Sequence, residues 1–370
     1  MSILNIAVIG AGTSGLCAAK HSLHQGFNVT IYEQNEDLGG IWWYTDRIGK
    51  DQYGVETHTA MYQGLRTNLP HQIMEFPDFH YPAGTKSYPP QADVLKYLNS
   101  YVDKFDLKKH IKFSHLVIRV LPIEKGQWEI IVKNLPDNTF ETKVYDAVFV
   151  AGGHFTAPRI PHIDDVTEFK GKIIHSHDFR TAQAFKDDRV LVIGAGPSGM
   201  DLVAHVSKTA ERLTWSQNER PHETKEAFEK RKSLLPPKVT LQANVKRFTA
   251  TGAEFLDGTH ETFTVRFALK FISGAKKLPT KMDMLTDMWA QCGIHWNKGY
   301  RKHYTHFLGP EQKDYFKQLA DTADIENLPY VIAAIHFDSR QTMERDPAGF
   351  RKYKYIIESD RSFSKVLEEQ

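Results

Sequence analysis

Two short apolar runs, Ile6-Ala-Val-Ile9 and Val190-Leu-Val-Ile193, each pass through three glycines into a segment with helical periodicity. Runs of Val and Ile without polar alternation suit parallel strands covered on both faces. The first copy predicts a strand, a tight turn at Gly10-Ala-Gly12, a helix over Ser14–Gln25 and a second strand over Phe27–Glu33. The second copy predicts the same order, with its turn at Gly194-Ala-Gly196 and its second strand over Arg212–Ser216. Between them the pattern predicts a helix over Gln91–Phe105, then a β-meander of Leu116–Val120, Trp128–Val132 and Phe140–Val144. A further buried strand, Tyr145–Gly153, ends in glycines. From Asp46 to Pro90 there is no period, only Pro, His and aromatic residues, the composition of a long functional loop.

A glycine-rich turn between strand and helix has a physical use. Gly10 and Gly194 permit the tight turn, and Gly12 and Gly196 let the main chain approach a pyrophosphate. Gly15 and Gly199 allow close packing of helix on strand, and Ser14 and Ser198 sit in the first helical turn. The two copies differ at the end of their second strands. The first ends in Glu33-Gln34, where a carboxylate accepts hydrogen bonds from a ribose diol, as for the adenosine half of FAD or for NAD. The second ends in Ser216-Gln217, with Asn218 and Arg220 following, and has no acid there. A 2′-phosphate suits such a site, although Arg220 reads equally well as a solvated loop residue. The expectation is FAD on the first unit and NADPH on the second, in an α/β chain with two Rossmann-like dinucleotide-binding domains and a β-meander in the first. Past Glu33, Leu38-Gly-Gly-Ile-Trp-Trp43 brings Gly40, Ile41 and Trp42 towards the first cofactor, with core packing as the rival role for either Trp.

Composition changes little. The chain has 370 residues, 41% hydrophobic and 25% charged, enough for two domains with ordinary surfaces. A net charge of +2 gives no argument for nucleic acid, and Lys230-Arg231-Lys232 reads as solvated surface. Cys17 and Cys292 form no C-x-x-C pair, so dithiol chemistry is not expected. The first strand begins a few residues after Met1 and no apolar run reaches spanning length, so the expected location is cytoplasmic, away from membranes. His175 and His177 share one strand face but lack a third ligand nearby, so no metal is expected.

Between the two glycine turns, Phe169-Lys-Gly-Lys-Ile-Ile-His-Ser-His-Asp-Phe179 fits the signature F-x-G-x-x-x-H-x-x-x-[YF]. With both turns in the same order, the chain resembles the flavin-containing monooxygenases, and among them the insect forms that N-oxygenate alkaloids. Baeyer–Villiger monooxygenases carry Trp where this chain has Phe179. The resemblance aligns Gln63-Gly-Leu-Arg-Thr-Asn68 with the family segment that places an asparagine beside the flavin. It thereby implies Asn68 as the catalytic residue, and Thr67 and Asn68 at the flavin and nicotinamide. It also implies Ile41 and Trp42 at FAD, and Ser198, Gly199, Met200 and Asp201 at the NADP turn. An amide donates and accepts hydrogen bonds without changing charge, which suits that place.

The implied chemistry is reduction of FAD by NADPH and addition of dioxygen at flavin C4a. Retained NADP+ with Asn68 then protects the hydroperoxide until a tertiary amine or sulfide attacks it, and no general base or metal takes part. The partners implied are a small soft nucleophile and dioxygen, with a homo-oligomer compatible. Implied domains are residues 1–165 for FAD, 166–265 for NADPH inserted in it, and 266–370 as a helical part returning to the FAD domain. Where family members follow the second domain with an apolar strand ending in A-T-G-Y or T-G-Y, Val265 is followed by Arg266-Phe-Ala-Leu-Lys-Phe-Ile-Ser-Gly274, which resembles a later helical segment. The reading is therefore that several tens of residues, including a core strand, are missing after Val265. That leaves two further expectations beside the active enzyme: a deletion or splice form acting as a nucleotide-binding scaffold, and an NADPH oxidase that leaks peroxide.

Overall fold

The computed structural model describes residues 3–153, 155, 158, 162–217, 224–268, 330–346, 349–359 and 362–368. The first unit is β1 (Asn5–Ile9), α1 (Thr13–His24) and β2 (Asn28–Tyr32), followed by the long loop and α2 (Gln91–Lys104). Next come β3 (Ile111–Lys112), the meander β4 (His115–Pro122), β5 (Trp128–Asn134) and β6 (Thr139–Tyr145), and then β7 (Ala147–Val150). The sheet runs β3-β2-β1-β7, all parallel, with Ile6 beside Val29 and Ala147. Its strands are apolar on both faces because α1 and α2 cover one side and the meander the other. Ala7 and Tyr32 pack with Ile130, Val132 and Tyr145, while Val8 and Ile31 pack with Leu16, Leu98 and Tyr101.

The second unit repeats this order. It comprises β8 (Lys172–His175), β9 (Arg189–Ile193), α3 (Pro197–Val206), β10 (Arg212–Ser216), α4 (Lys225–Ser233) and β11 (Val239–Gln242). It continues with the antiparallel strands β12 (Val245–Phe248), β13 (Gly252–Phe255) and β14 (His260–Thr262), and then β15 (Val265–Ala268). The sheet order is β11-β10-β9-β15-β8, all parallel. Thus β15 is to β9 what β7 is to β1, and the repeat seen in the glycine turns extends to strand order.

This corrects the expectation of a lost core strand. Val265–Ala268 pairs with β9 on one side and β8 on the other, in register with Val190–Ile193 and Lys172–His175. A gap between two parallel strands leaves two rows of buried peptide groups without partners, so the next available extended segment fills it. Strand pairing in the second sheet therefore extends to Ala268. Ile163 and Val166 pack with Phe248 and Leu191, and Phe248 N donates to Asp164 O at 3.0 Å.

Of the part expected to be helical, the described residues form α5 (Tyr330–Arg345) and an antiparallel hairpin, β16 (Tyr353–Ile357) with β17 (Phe363–Leu367). The segments Lys277–Pro279 and Met282–Met284 and the residue Cys292 lie outside the described residues. α5 and the hairpin bury Val331, Ile335, Met343, Phe350 and Tyr355 against Tyr88 and Ile73 of the long loop and Met200 of α3. This third cluster joins α5 and the hairpin to the long loop and to α3.

Gly15 shows how tightly the first turn is built: an added Cβ would lie 1.9 Å from Gly10 O and 3.3 Å from Val8 Cγ1. Gly15→Ala must push α1 off β1, so a loss of about 2–4 kcal/mol is expected. Thermal unfolding, followed by circular dichroism, should show Tm falling together with flavin content.

Candidate active site

The first glycine turn lies at the carboxyl end of β1. Gly10 adopts φ +104° and donates its N–H to Tyr32 O at 2.8 Å. A Cβ there would lie 2.5 Å from Ala151 O, so β7 closes the turn from the other side. Gly12 caps α1 with no side-chain hydrogen bond, and no acidic residue stands in the first turn, where Ser14 is exposed. The helix end therefore keeps free N–H donors and positive potential for an anion. Gly12 also faces Gly40, whose Cβ would lie 3.0 Å from Gly12 Cα. The short helical turn Gly40–Trp42 thus rests directly on the phosphate turn, tied by Gly39 N to Ala11 O at 3.0 Å.

Glu33 is buried at the end of β2. Its Oε2 accepts from Ala11 N at 2.7 Å, and its Oε1 accepts from Asn35 N at 2.9 Å and Asn35 Nδ2 at 3.0 Å. Burial pushes its carboxyl up, opposed by the hydrogen bonds from Asn35, Ala11 and Gln34. Gln34 is half-buried and lines a small recess with Asn35 and Trp43. Ile41 O accepts from Thr59 Oγ1 at 3.1 Å, and Trp42 packs on the first core with its carbonyl held by Gln91 Nε2. The core-packing role of Trp42 is thus visible in the contacts it makes.

Gln91 connects this turn to the segment of Asn68, because Gln91 N donates to Leu65 O at 3.0 Å and Thr67 N to Pro89 O at 3.0 Å. Asn68 is exposed, while Thr67 is buried and its hydroxyl has no hydrogen-bond partner among the described residues. An orphaned buried hydroxyl beside an exposed amide is what a polar cofactor edge would satisfy.

In the second turn, Gly194 takes φ +113° and donates to Ser216 O at 2.9 Å. Gly196 caps α3, where a Cβ would meet nothing within 4 Å. The space above Gly196 is open to a ligand, unlike the protein-filled space at Gly15. Ser198 is half-buried and Gly199 buried. Three expected NADPH contacts also engage the protein itself. Ser216 is fully buried and donates to Ala243 O at 2.8 Å, Met200 packs between two cores, and Asp201 is paired with Arg351 at 2.9 Å. Gln217 is buried, and neither amide atom has a partner among the described residues, at the strand end that matches the acid of the first unit. Asn218 and Arg220 lie outside the described residues. The residues present fit FAD on the first turn, through Gly10, Gly12, Gly40 and Glu33, and fit NADPH on the second, through Gly194, Gly196 and Gln217.

The signature between the turns is built for packing. Gly171 leaves room for the Phe169 ring and Thr264 O, which would lie 2.5 and 2.6 Å from a Cβ. His175 Nδ1 accepts from His177 N at 3.0 Å, and Phe179 is buried against Tyr62. His177 Nδ1 meets Asp178 Oδ1 at 2.9 Å. No group of three His, Cys, Asp or Glu able to hold a metal occurs among the described residues.

A family model described as flavin-binding monooxygenase-like matches residues 4–222. The chain belongs to this family. Senecionine N-oxygenase of Tyria jacobaeae is 30% identical over 425 aligned positions, 98% of this chain and 92% of that protein. That alignment is longer than the 370-residue chain, so the relative has positions with no counterpart here. Flavin-containing monooxygenase FMO GS-OX3 of Arabidopsis thaliana is 33% identical over 231 residues, 59% of this chain and 50% of the relative. The match thus spans about half of that plant protein. In fold the chain is similar to Tmm from Pelagibacter (TM-score 0.79, 23% identity, 98% of this chain and 96% of that one). It is similar also to S-allyl-L-cysteine S-oxygenase from Allium sativum (0.73, 21%, 95% and 96%). The chain is an insect-type flavin monooxygenase, an oxidoreductase with two dinucleotide-binding domains, and FAD and NADPH are the cofactors that this membership brings. Among the described residues no helix is long and apolar enough to cross a membrane.

Sequence reasoning passed over His58, Asn35, Gln91, Arg180 and Arg351, which carry no local signal. Arg180 alone donates to the carbonyls of Arg47, Thr59, His177 and Phe179, at 2.7–3.2 Å. The His58 ring meets Asn35 Nδ2 at 3.2 Å and hydrogen-bonds the Gly40 main chain. Burial lowers its pKa, a neighbouring His177 adds to this, and the Gly40 bond opposes it.

Two tests follow from this geometry. A depressed folded pKa means that the unfolded chain protonates first, so stability present above pH about 6.5 is lost as pH falls through the folded value. FAD release, followed by fluorescence from pH 7.5 down to 5, should therefore increase on the acid side, and His58→Gln should flatten that limb. Gly196→Ala should raise the Kd for NADPH about tenfold or more by filling ligand space, with Tm unchanged. A fall in Tm equal to that of Gly15→Ala would contradict the open space seen above Gly196.

Proposed function

We propose that this monooxygenase uses NADPH to N- or S-oxygenate small soft nucleophiles, such as tertiary amines of the alkaloid class and sulfides, in the cytosol. The observation that carries the reading is the asymmetry of the duplicated turn. A buried carboxylate, Glu33, follows β2 and a buried neutral amide, Gln217, follows β10, at the strand ends where the ribose of each dinucleotide would lie. A carboxylate repels a 2′-phosphate and an amide does not, which supports FAD on one side and NADPH on the other. The resemblance to senecionine N-oxygenase, which spans almost the whole chain, supports nitrogen as an acceptor.

Bound flavin, once reduced by NADPH, supplies activation of dioxygen and delivery of one oxygen atom to the substrate. The chain supplies position and dryness. The N–H groups at the start of α1 would hold the pyrophosphate, and Glu33 would orient the adenosine ribose. The Gly39-Gly40 turn, resting on Gly12, would line the cofactor beside it. Asn68, on a strip clamped by Thr67 N to Pro89 O, would offer a donor and an acceptor of constant charge. The Thr67 hydroxyl would add a polar group next to it.

A second reading, partial leakage as an NADPH oxidase, is favoured by one observation: the insect relative has positions that this chain lacks. Water exclusion depends on cover, and less cover lets reducing equivalents reach oxygen without substrate.

The expected outcome is about one FAD per chain by absorbance, with NADPH oxidation stimulated by a tertiary amine and by a sulfide. Product should be less than one per NADPH, with the difference recovered as hydrogen peroxide. Asn68→Asp, which puts a charge at that place, should lower product formation by about tenfold or more while FAD remains bound. Absence of FAD even after supplementation would leave only a nucleotide-binding scaffold.

A further inference from the structure

Arg351 lies far along the chain from both glycine turns, in the short turn between α5 and β16. Its guanidinium nevertheless makes four described contacts with other elements. Nε donates to Thr67 O at 2.9 Å, and Nη2 donates to Arg66 O at 3.1 Å and to Asp201 Oδ2 at 3.0 Å. Nη1 pairs with Asp201 Oδ1 at 2.9 Å. The pair with Asp201 is bidentate and largely shielded, with side-chain exposures of 18% and 13%. Tyr62, from the same loop as Thr67, donates its hydroxyl to Asp201 Oδ2. Asp201 belongs to α3, the helix that begins at the second glycine turn, and Thr67 immediately precedes Asn68.

We propose that Arg351 is a positioning residue that registers the Asn68 strip against the NADPH-side helix. The proposal rests on the reading of Asn68 and the two cofactor sites given above. Main-chain carbonyls of residues 66 and 67 are the acceptors, so the guanidinium fixes the backbone that carries Asn68 and leaves the Asn68 side chain free. The same planar group holds Asp201 through its other edge. A shift of α3 on nucleotide binding is thereby transmitted to the strip, and the strip cannot drift while Asp201 is held. Only a guanidinium has enough donors in a rigid fork for two carbonyls and both carboxylate oxygens, whereas an ammonium can satisfy the charge and one or two of these contacts. The other main-chain bonds that tie the segment to its surroundings among the described residues are Thr67 N to Pro89 O, Gln91 N to Leu65 O and Gln63 N to Arg180 O, and none of them reaches α3, so loss of the fork should be felt there first.

The test compares the full-length flavoprotein with Arg351→Gln, Arg351→Lys and Tyr62→Phe. Amide hydrogen exchange needs no turnover. In Arg351→Gln, exchange across 62–68 should accelerate by at least about tenfold while the amides of 10–16 are unchanged. In the unaltered protein NADP+ should slow exchange across 62–68, and in Arg351→Gln this slowing should vanish although NADP+ still binds. In turnover, product per NADPH should fall about threefold below that of the unaltered enzyme, with KM for NADPH changed less than coupling. Arg351→Lys should recover part of it and Tyr62→Phe should lose less than Arg351→Gln. Unchanged exchange at 62–68 in Arg351→Gln would overturn the proposal. So would loss of FAD with every rate falling in proportion, which is the mark of a merely structural residue. Failure of the unaltered protein to oxygenate amines or sulfides would sink the proposed substrates, and the exchange readout would still decide the role of Arg351.

Discussion

The structure depends on main chain approaching main chain closer than any side chain allows. Gly15 seats α1 against the Gly10 carbonyl, Gly10 meets Ala151, and Gly12 meets Gly40. Three segments from different parts of the first domain converge there with no Cβ between them. This convergence leaves the start of α1 without a side-chain cap. Everything that follows in the first domain, from the turn of Trp42 to the clamp of Gln91, is placed relative to that contact.

Polar side chains hold the remaining loop segments by their backbones. Arg180 gathers four carbonyls from the long loop and from the turn after β8, and Arg351 gathers two more from residues 66 and 67. A loop without regular structure has many carbonyls and few partners, and a buried arginine is the side chain with donors enough to serve several at once. The loop from Asp46 to Pro90 is thus ordered by arginines contributed from outside it. Thr59, buried within it, adds a smaller version by bonding Ile41 O and Met61 N.

The long loop, α3, α5 and the hairpin meet in the third hydrophobic cluster. Tyr355 donates its N–H to Ser87 Oγ at 2.8 Å and its hydroxyl to Asp338 at 2.6 Å, and Gln72 Nε2 donates to Tyr355 O at 2.7 Å. Burial pushes the Asp338 carboxyl up, but Lys365 and Tyr355 outweigh it and the net direction is down, so the carboxylate is charged at neutral pH. α5, the hairpin and the loop near Tyr88 form a wedge whose apolar side also touches Met200 of α3. The segment after β15 therefore matters to both nucleotide sites without belonging to either turn.

The sequence by itself determined the two dinucleotide units, because their strands, turns and glycines follow local rules of period and backbone conformation. α1, α2, β10 and the meander lie within one or two residues of where that pattern puts them. The choice of Glu33 is equally local, fixed by its distance from the glycines. What only the tertiary structure decided involves partners distant in the chain. That Val265–Ala268 is a central strand depends on the slot between β8 and β9, which no local pattern shows. That Asp201 pairs with Arg351 and Ser216 with the carbonyl of Ala243 is likewise a matter of tertiary contact. Arg180 and Arg351 themselves look like any other arginine, since a side chain that binds carbonyls up to 285 residues away leaves no periodicity to read.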